Sequence, residues 1–340
     1  MYSDDEIDAA VAAGAIPADA ANSLRAFVAR RRMGAASGSI ADEEHFRLLT
    51  GFNDIFVSIA AVLLLIAVGW LASEWAPVLV GLAVSAVSWG LAEYFTRRRR
   101  MALPSLLLLG SFAGGACAEG ALLSKAVFSA APDSAIGALA ALTAVAATVA
   151  HWRRFRVPVT IAVGAVAAVA AAVALLLVLV PAAKAHWPWL LFAGGLSLFG
   201  LAMRWDMSDR ARLTRRSDVA FWLHLSAAPA IVHPVFSLLG LLDGDETSLA
   251  KAAAGVGLYA VLALVALTVD RRALLVSALF YVLYAISALI QAIGALNISL
   301  ALTALVVGSA LLLLSAFWHP TRRAVVTLLP ERVRAWVPAT

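Results

Sequence analysis

Ten apolar stretches of roughly twenty residues fill most of this chain, and its arginines lie in every second gap between them. A bilayer core of about 30 Å takes roughly 20 apolar residues as a helix, so each stretch is the right length to cross once. The stretches are 55–73, 76–95, 102–127, 134–151, 158–181, 187–203, 218–241, 249–269, 273–293 and 298–318. The gap between the eighth and ninth is only Asp270-Arg271-Arg272, which demands a tight turn.

Lys and Arg favour the cytosolic side of a membrane. One set of gaps holds Arg97 to Arg100, then Arg153, Arg154 and Arg156, then Arg204, Arg210, Arg212, Arg215 and Arg216, then Arg271 and Arg272. The tail adds Arg322, Arg323, Arg332 and Arg334, and the remaining arginines precede the first stretch. The intervening gaps contain no arginine and carry Glu74, Asp133, Asp243, Asp245 and Glu246, with Lys125, Lys184 and Lys251 at or near that face. A wrong count would break this alternation. The expected fold is therefore all-α, a polytopic integral membrane protein with about ten transmembrane helices and both termini in the cytosol. Trp70, Trp75, Trp187 and Trp189 fall at the outer boundaries and Trp152, Trp205 and Trp318 at the inner ones, where indoles favour the interface.

Composition agrees. The chain is 63% hydrophobic and 14% charged, against about 45–50% and about 25% in soluble domains, which excludes a soluble enzyme, a disordered tail and a disulfide scaffold. The single cysteine, Cys117, allows no intramolecular disulfide and no cysteine-based metal cluster. The net charge of +5 is explained by topology, so no nucleic-acid partner is expected. Heavy Ala and Arg use fits a GC-rich bacterial genome and a multi-pass protein of the bacterial inner membrane.

Residues 1–50 read as a small cytosolic helical module. Ser3-Asp4-Asp5-Glu6 has capping-box form. Gly14 ends the first helix, and Pro17 opens a second that runs to about Arg32. Gly34 to Ser39 reads as a flexible hinge, and Asp42-Glu43-Glu44-His45 starts a third helix. The acidic start with no early apolar run does not read as a cleaved signal. Residues 51–318 form the membrane domain, and 319–340 an amphipathic tail expected on the inner leaflet. The basic clusters recur as if five helical hairpins followed one another; shared ancestry and the mere consequence of alternating topology both account for this.

Few polar groups lie within the spans. Glu119 sits in the outer half of the third, and a carboxylate there must be neutral, paired or wet. It is a candidate proton- or cation-binding group; the plainer reading is a hydrogen-bonded group that fixes helix packing. Lys125 is on another face and snorkels. Gly110 and Gly114 form a small-xxx-small pattern for close helix approach. In the seventh span Pro229 and Pro234 free backbone carbonyls, and Ser226, His233 and Ser237 share a helical face, with His224 opposite. That stripe is either part of a solute path or a kinked helix whose His bonds a freed carbonyl. Asp54 reads as the cap of the first span, and Glu93 as a partner for Arg97. Six scattered histidines give no zinc spacing, and no phosphate loop, dinucleotide fingerprint or nucleophile elbow appears. No cofactor, metal or catalytic residue is expected, and the chain is not expected to be an enzyme.

Gly14-Ala-Ile-Pro17-Ala-Asp-Ala-Ala21 and Gly51-Phe52-Asn53-Asp54-Ile55-Phe56 carry a resemblance. The layout resembles a loose group of bacterial polytopic membrane proteins, a domain-of-unknown-function class, that pair a short helical cytosolic N-terminus with a membrane region. The resemblance covers mainly residues 1–100 and implies no catalytic residues. The span count and termini are also similar to drug/metabolite-type transporters, which normally lack such an N-terminal module. The leading expectation is transport of a small solute or ion, with Glu119, Ser226, His233 and Ser237 lining a path in the outer half of the membrane. The alternative is a membrane-anchored scaffold or sensor acting through the module and tail. Expected partners are the lipid bilayer and anionic head groups at the arginine clusters; a homo-oligomer or a partner chain stays open.

Overall fold

A computed structural model describes residues 4–27, 52–210, 212, 214–240, 249–292, 299–334 and 336–338. Ser3 of the capping box, the hinge at Gly34–Ser39, the helix start at Asp42–His45 and the acidic Asp243, Asp245 and Glu246 lie outside these residues. The chain divides into two compact units, Met1–Phe46 and Arg47–Thr340.

In the first unit, α1 spans Asp4–Ala12, and residues 18–27 form α2. Gly14 takes φ +68°, Gly14 N–H donates to Val11 O and Ala15 N–H to Ala10 O. This is the left-handed helix end that glycine adopts without a Cβ penalty. Asp8 and Arg25 pair at 2.7 Å across the two helices, and Ala21 is buried.

The second unit is all-helical, with no strand among the described residues. Its long helices are α3 (Phe52–Trp75), α4 (Val80–Ala92, extended by a π-helical turn at Glu93–Arg98), α5 (Ala102–Val127), α6 (Asp133–Phe155) and α7 (Val159–Leu179). They continue with α8 (Trp187–Met207), α9 (Arg215–Leu238), α10 (Leu249–Val269), α11 (Ala273–Ala292) and α12 (Ser299–Ala316), then the shorter α13 (Trp318–Thr327) and α14 (Glu331–Arg334). Seven segments are long and apolar enough to cross a membrane, and an eighth if α12 and α13, bent by 76°, count as one span. Each of the ten expected stretches overlaps a long helix, and α8 and α11 are not among those seven. Large apolar side chains such as Phe56, Leu63, Trp70, Leu312 and Leu313 are exposed, the reverse of a soluble surface and the arrangement suited to lipid.

Prolines and small residues set this architecture. Pro77, Pro181 and Pro188 fall in the first turn of a helix, where the missing N–H costs nothing. Glycines let neighbouring helices touch backbone to backbone. A Cβ on Gly81 of α4 would stand 2.3 Å from Gly115 O, and one on Gly120 would stand 3.0 Å from the Ala140 backbone of α6. Ser85 Oγ donates to Phe112 O at 3.1 Å, and Thr143 Oγ1 to Ala116 O at 2.9 Å. Gly110 and Gly114, expected to make the close contact, meet nothing within 4 Å. Gly115 and Gly120 make it instead. In a helix so rich in small residues, the four-residue spacing occurs on several faces and cannot mark the packed one.

The arginine-bearing turns end alike. Arg100, Arg156, Arg212 and Asp270 all take a left-handed backbone, with φ between 53° and 59°. At the tight turn, Asp270 holds that conformation while Arg271 N–H donates to Ala266 O at 2.9 Å. This closes α10 and reverses the chain at once. Glu93 pairs with Arg97 at 3.3 Å and takes two bonds from Arg154 at 2.6 and 2.8 Å, joining two of these turns at one end of the unit.

Residues 318–338 are not simply a free tail. Trp318, Arg322 and Val326 of α13 are buried, and Trp318 packs with Ala266, Leu267 and Leu274. Arg210 donates to Arg334 O and Val337 O, and Arg322 to Pro338 O.

Candidate functional site

Helices α8 and α9 organise two features, a cavity at one end and a buried polar network at the other. The first is a cavity of about 640 Å³ between α6, α7, α8 and α9. Val166, Val169, Val173, Leu191 and Leu198 form its walls, and Ser226 and Ala230 of α9 lie at its inner limit. Asp133, Ser134, Lys184 and Trp187 surround the mouth, at the arginine-free end. Gly195 lets α8 approach the α9 backbone closely beside the cavity. A Cβ there would stand 2.8 Å from Ala230 C and 2.9 Å from Ala230 O. That carbonyl is the one Pro234 cannot bond, since proline has no N–H.

Inward of the cavity the space closes. Ala162, Leu198, Ala202, Leu223 and Ala227 pack together, with Phe199 and Trp222 against them. Phe199 sets its ring edge-on to His224 at 5.2 Å.

The second feature lies beyond this plug. His224, fully buried, places Nε2 2.8 Å from Asp206 Oδ2. Arg271 Nη2 bonds Asp206 Oδ1, its Nε bonds Oδ2 at 3.4 Å, and Nη2 also reaches Ser217 O at 3.2 Å. Asp270 takes Arg212 Nη1 at 2.8 Å and the Trp318 indole N–H at 2.7 Å, with Arg322 Nε at 3.5 Å. Arg212 caps the end of α10 as well, donating to Val269 O and Asp270 O. Burial, then the like charge of Arg271, pulls the Arg212 pKa below the usual arginine value, while Asp270 opposes that shift. The network ties the α8–α9 turn, the α10–α11 turn and α13 into one buried knot. An ion in such surroundings persists only with partners and bonds to its remaining lone pairs and protons.

The residues expected to line a path are dispersed. Glu119 sits on α5, where its Oε2 accepts the Leu82 N–H at 2.9 Å. Leu82 is in the first turn of α4, whose flanking residue Leu79 offers no side-chain cap. Glu119 thus satisfies an orphan donor at a helix N-terminus. Ser226 lines the cavity and bonds back to Trp222 O at 2.9 Å. His233 turns to α11, with Nδ1 3.0 Å from Tyr281 Oη. Ser237 lies near the end of α9, and its carbonyl accepts Gly240 N–H at 2.9 Å. Of these four, Ser226 alone belongs to the cavity lining. The helix runs through Pro229 and Pro234 without a break, so neither proline opens a gap. Asp54 is buried in the first turn of α3. No group of three or more metal-ligating side chains occurs among the described residues.

The role of Glu119 is testable directly. Glu119→Gln keeps an oxygen acceptor for Leu82 N–H and is expected to melt within a few degrees of wild type. Glu119→Ala strands that donor and is expected to cost about 1–3 kcal/mol. Thermal denaturation in detergent separates the two; equal losses would refute the capping role.

Sequence reasoning missed the network because Arg212, Arg271 and Arg322 were absorbed into the orientation pattern. The available signal was acidic: Asp206, Asp209 and Asp270 are carboxylates inside arginine-rich turns, where a topological account needs none. No family model, curated protein or solved structure matches the chain.

Proposed function

We propose that the protein is a ten-span membrane protein of the bacterial inner membrane, both termini cytosolic, that transports a small solute by alternating access. The observation that carries this reading is the opposition along α8 and α9. A cavity opens at one end, and a packed plug followed by a buried ion-pair network closes the other. A chain selected only as an anchor gains nothing from holding ion pairs out of water, since well-packed apolar side chains serve stability as well or better. A gate does gain, because paired charges hold one state firmly and can be released as a unit. In this reading the structure is the outward-open state, and the Asp206–Arg271 and Asp270–Arg212 pairs are the closed inner gate. The apolar walls favour a solute with a substantial apolar body over a bare ion. The exposed Arg97, Arg98, Arg153 and Arg323 would meet anionic head groups at the cytosolic leaflet.

Accessibility from the two sides tests this without knowing the solute. In a Cys117→Ser background, Ser226→Cys should react with a membrane-impermeant thiol reagent quickly from the periplasmic side and slowly from the cytosolic side in inverted vesicles. Labelling from the periplasm alone would leave a static pocket and refute alternating access. Labelling from the cytosol alone would overturn the orientation.

A further inference from the structure

The chemistry of the cavity narrows the class of molecule it takes, given the transport reading above as its setting. Its walls are valines, leucines, alanines and glycines, and a bare ion or a sugar there would lose its water without gaining partners. Its mouth differs. Asp133 begins α6, and Lys184 lies on the short helix Pro181–His186 that leads into α8, so opposite charges stand on different walls of one opening. Both side chains are exposed, and neither takes part in an ion pair among the described residues. Trp187 sits beside them with its apolar ring and wet N–H edge, the amphipathic character of an interfacial indole. From Trp187 to Leu198 the cavity follows α8 for about 16 Å, and the next polar side chain along its lining is Ser226.

We infer that the cavity binds a zwitterionic single-chain amphiphile, with its alkyl chain along α7 and α8, its cationic group at Asp133 and its anionic group at Lys184. Two charges on the ligand answer two charges on the protein. A purely cationic or purely anionic head leaves one of them unanswered and repelled.

Native mass spectrometry of the full chain in a non-ionic maltoside tests this with three probes of equal chain length: dodecylphosphocholine, dodecyltrimethylammonium and dodecyl sulfate. The zwitterion should bind about tenfold more tightly than either singly charged probe, the scale of one charge-assisted contact. Asp133→Asn should weaken the zwitterion and the cation by about that factor and leave the anion unweakened. Lys184→Gln should weaken the zwitterion and the anion and leave the cation unweakened. Ala170→Trp, which fills the cavity, should reduce all three. Equal affinity for the three heads, selectivity unmoved by Asp133→Asn and Lys184→Gln, or binding undiminished in Ala170→Trp would each overturn the inference. The outcome separates from the transport reading. Head-group selectivity with one-sided labelling of Ser226→Cys sinks transport and keeps the ligand. Two-sided labelling without selectivity does the reverse.

Discussion

Asp206→Ala is expected to destabilise the protein by about 3–5 kcal/mol, because it leaves a buried Arg271 guanidinium and a buried His224 ring facing no carboxylate. Both partners are shielded from water, at 2% and 0% exposure, so solvent cannot replace the lost oxygen. Arg271→Ala should cost a similar amount by stranding Asp206. The double replacement Asp206→Leu with Arg271→Met removes both charges and should recover most of the loss, since apolar side chains of similar volume often replace a buried pair without penalty. The thermal midpoint of purified protein, followed by size-exclusion fluorescence, reads all three. Should the single and double variants melt together near wild type, the network is not holding the turns. The double variant also bears on gating. A stable protein whose Ser226→Cys now labels readily from the cytosolic side would identify the network as the closing element.

The second large effect is steric. Gly81→Val places branched carbons where Gly115 O and Glu119 N already stand 2.3 and 2.6 Å from the Cβ position. Both are backbone atoms of α5 and cannot rotate aside. Overpacking of this kind costs about 1–3 kcal/mol or more. Here it should reach the upper end, because parting the helices also breaks the Glu119–Leu82 and Ser85–Phe112 bonds. Gly114→Val is the matched control. It introduces the same residue on the same pair of helices, but nothing lies within 4 Å of its Cβ position, so its midpoint should move little. Equal shifts in the two variants would refute the close crossing.

The two experiments probe different forces that shape this fold. Between lipid-facing helices there is little hydrophobic gain, because acyl chains are as apolar as leucine. Close approach of Gly, Ala, Ser and Thr supplies dispersion and short interhelical hydrogen bonds instead. At the α8–α9 and α10–α11 turns, the buried Asp206–Arg271 and Asp270–Arg212 pairs link the helix ends.

Much of this was legible in the chain. Helix positions followed from apolar length, because lipid leaves a backbone no partner but itself. The Glu93–Arg97 pair followed from its i+4 spacing. The partner of Glu119 was not legible. It is a backbone N–H on another helix, and no side-chain pattern records where a backbone donor lies unsatisfied. Nor was the fate of the Ser226, His233 and Ser237 stripe. Helical period gave those residues one face, but α7 and α8 cover one stretch of α9 and α11 another, so Ser226 meets the cavity while His233 meets Tyr281.

By itself, the sequence determined that the chain is helical, where its helices lie, and that its arginines gather in alternate turns. These are properties of single segments, set by hydropathy and by charge. Only the tertiary structure decided which arginines are buried partners and which are exposed, which glycines touch another backbone, and that Asp133 and Lys184 guard one opening. Those depend on which faces of neighbouring helices meet, and in a chain so uniformly apolar and small-sided, many faces look alike until they are packed.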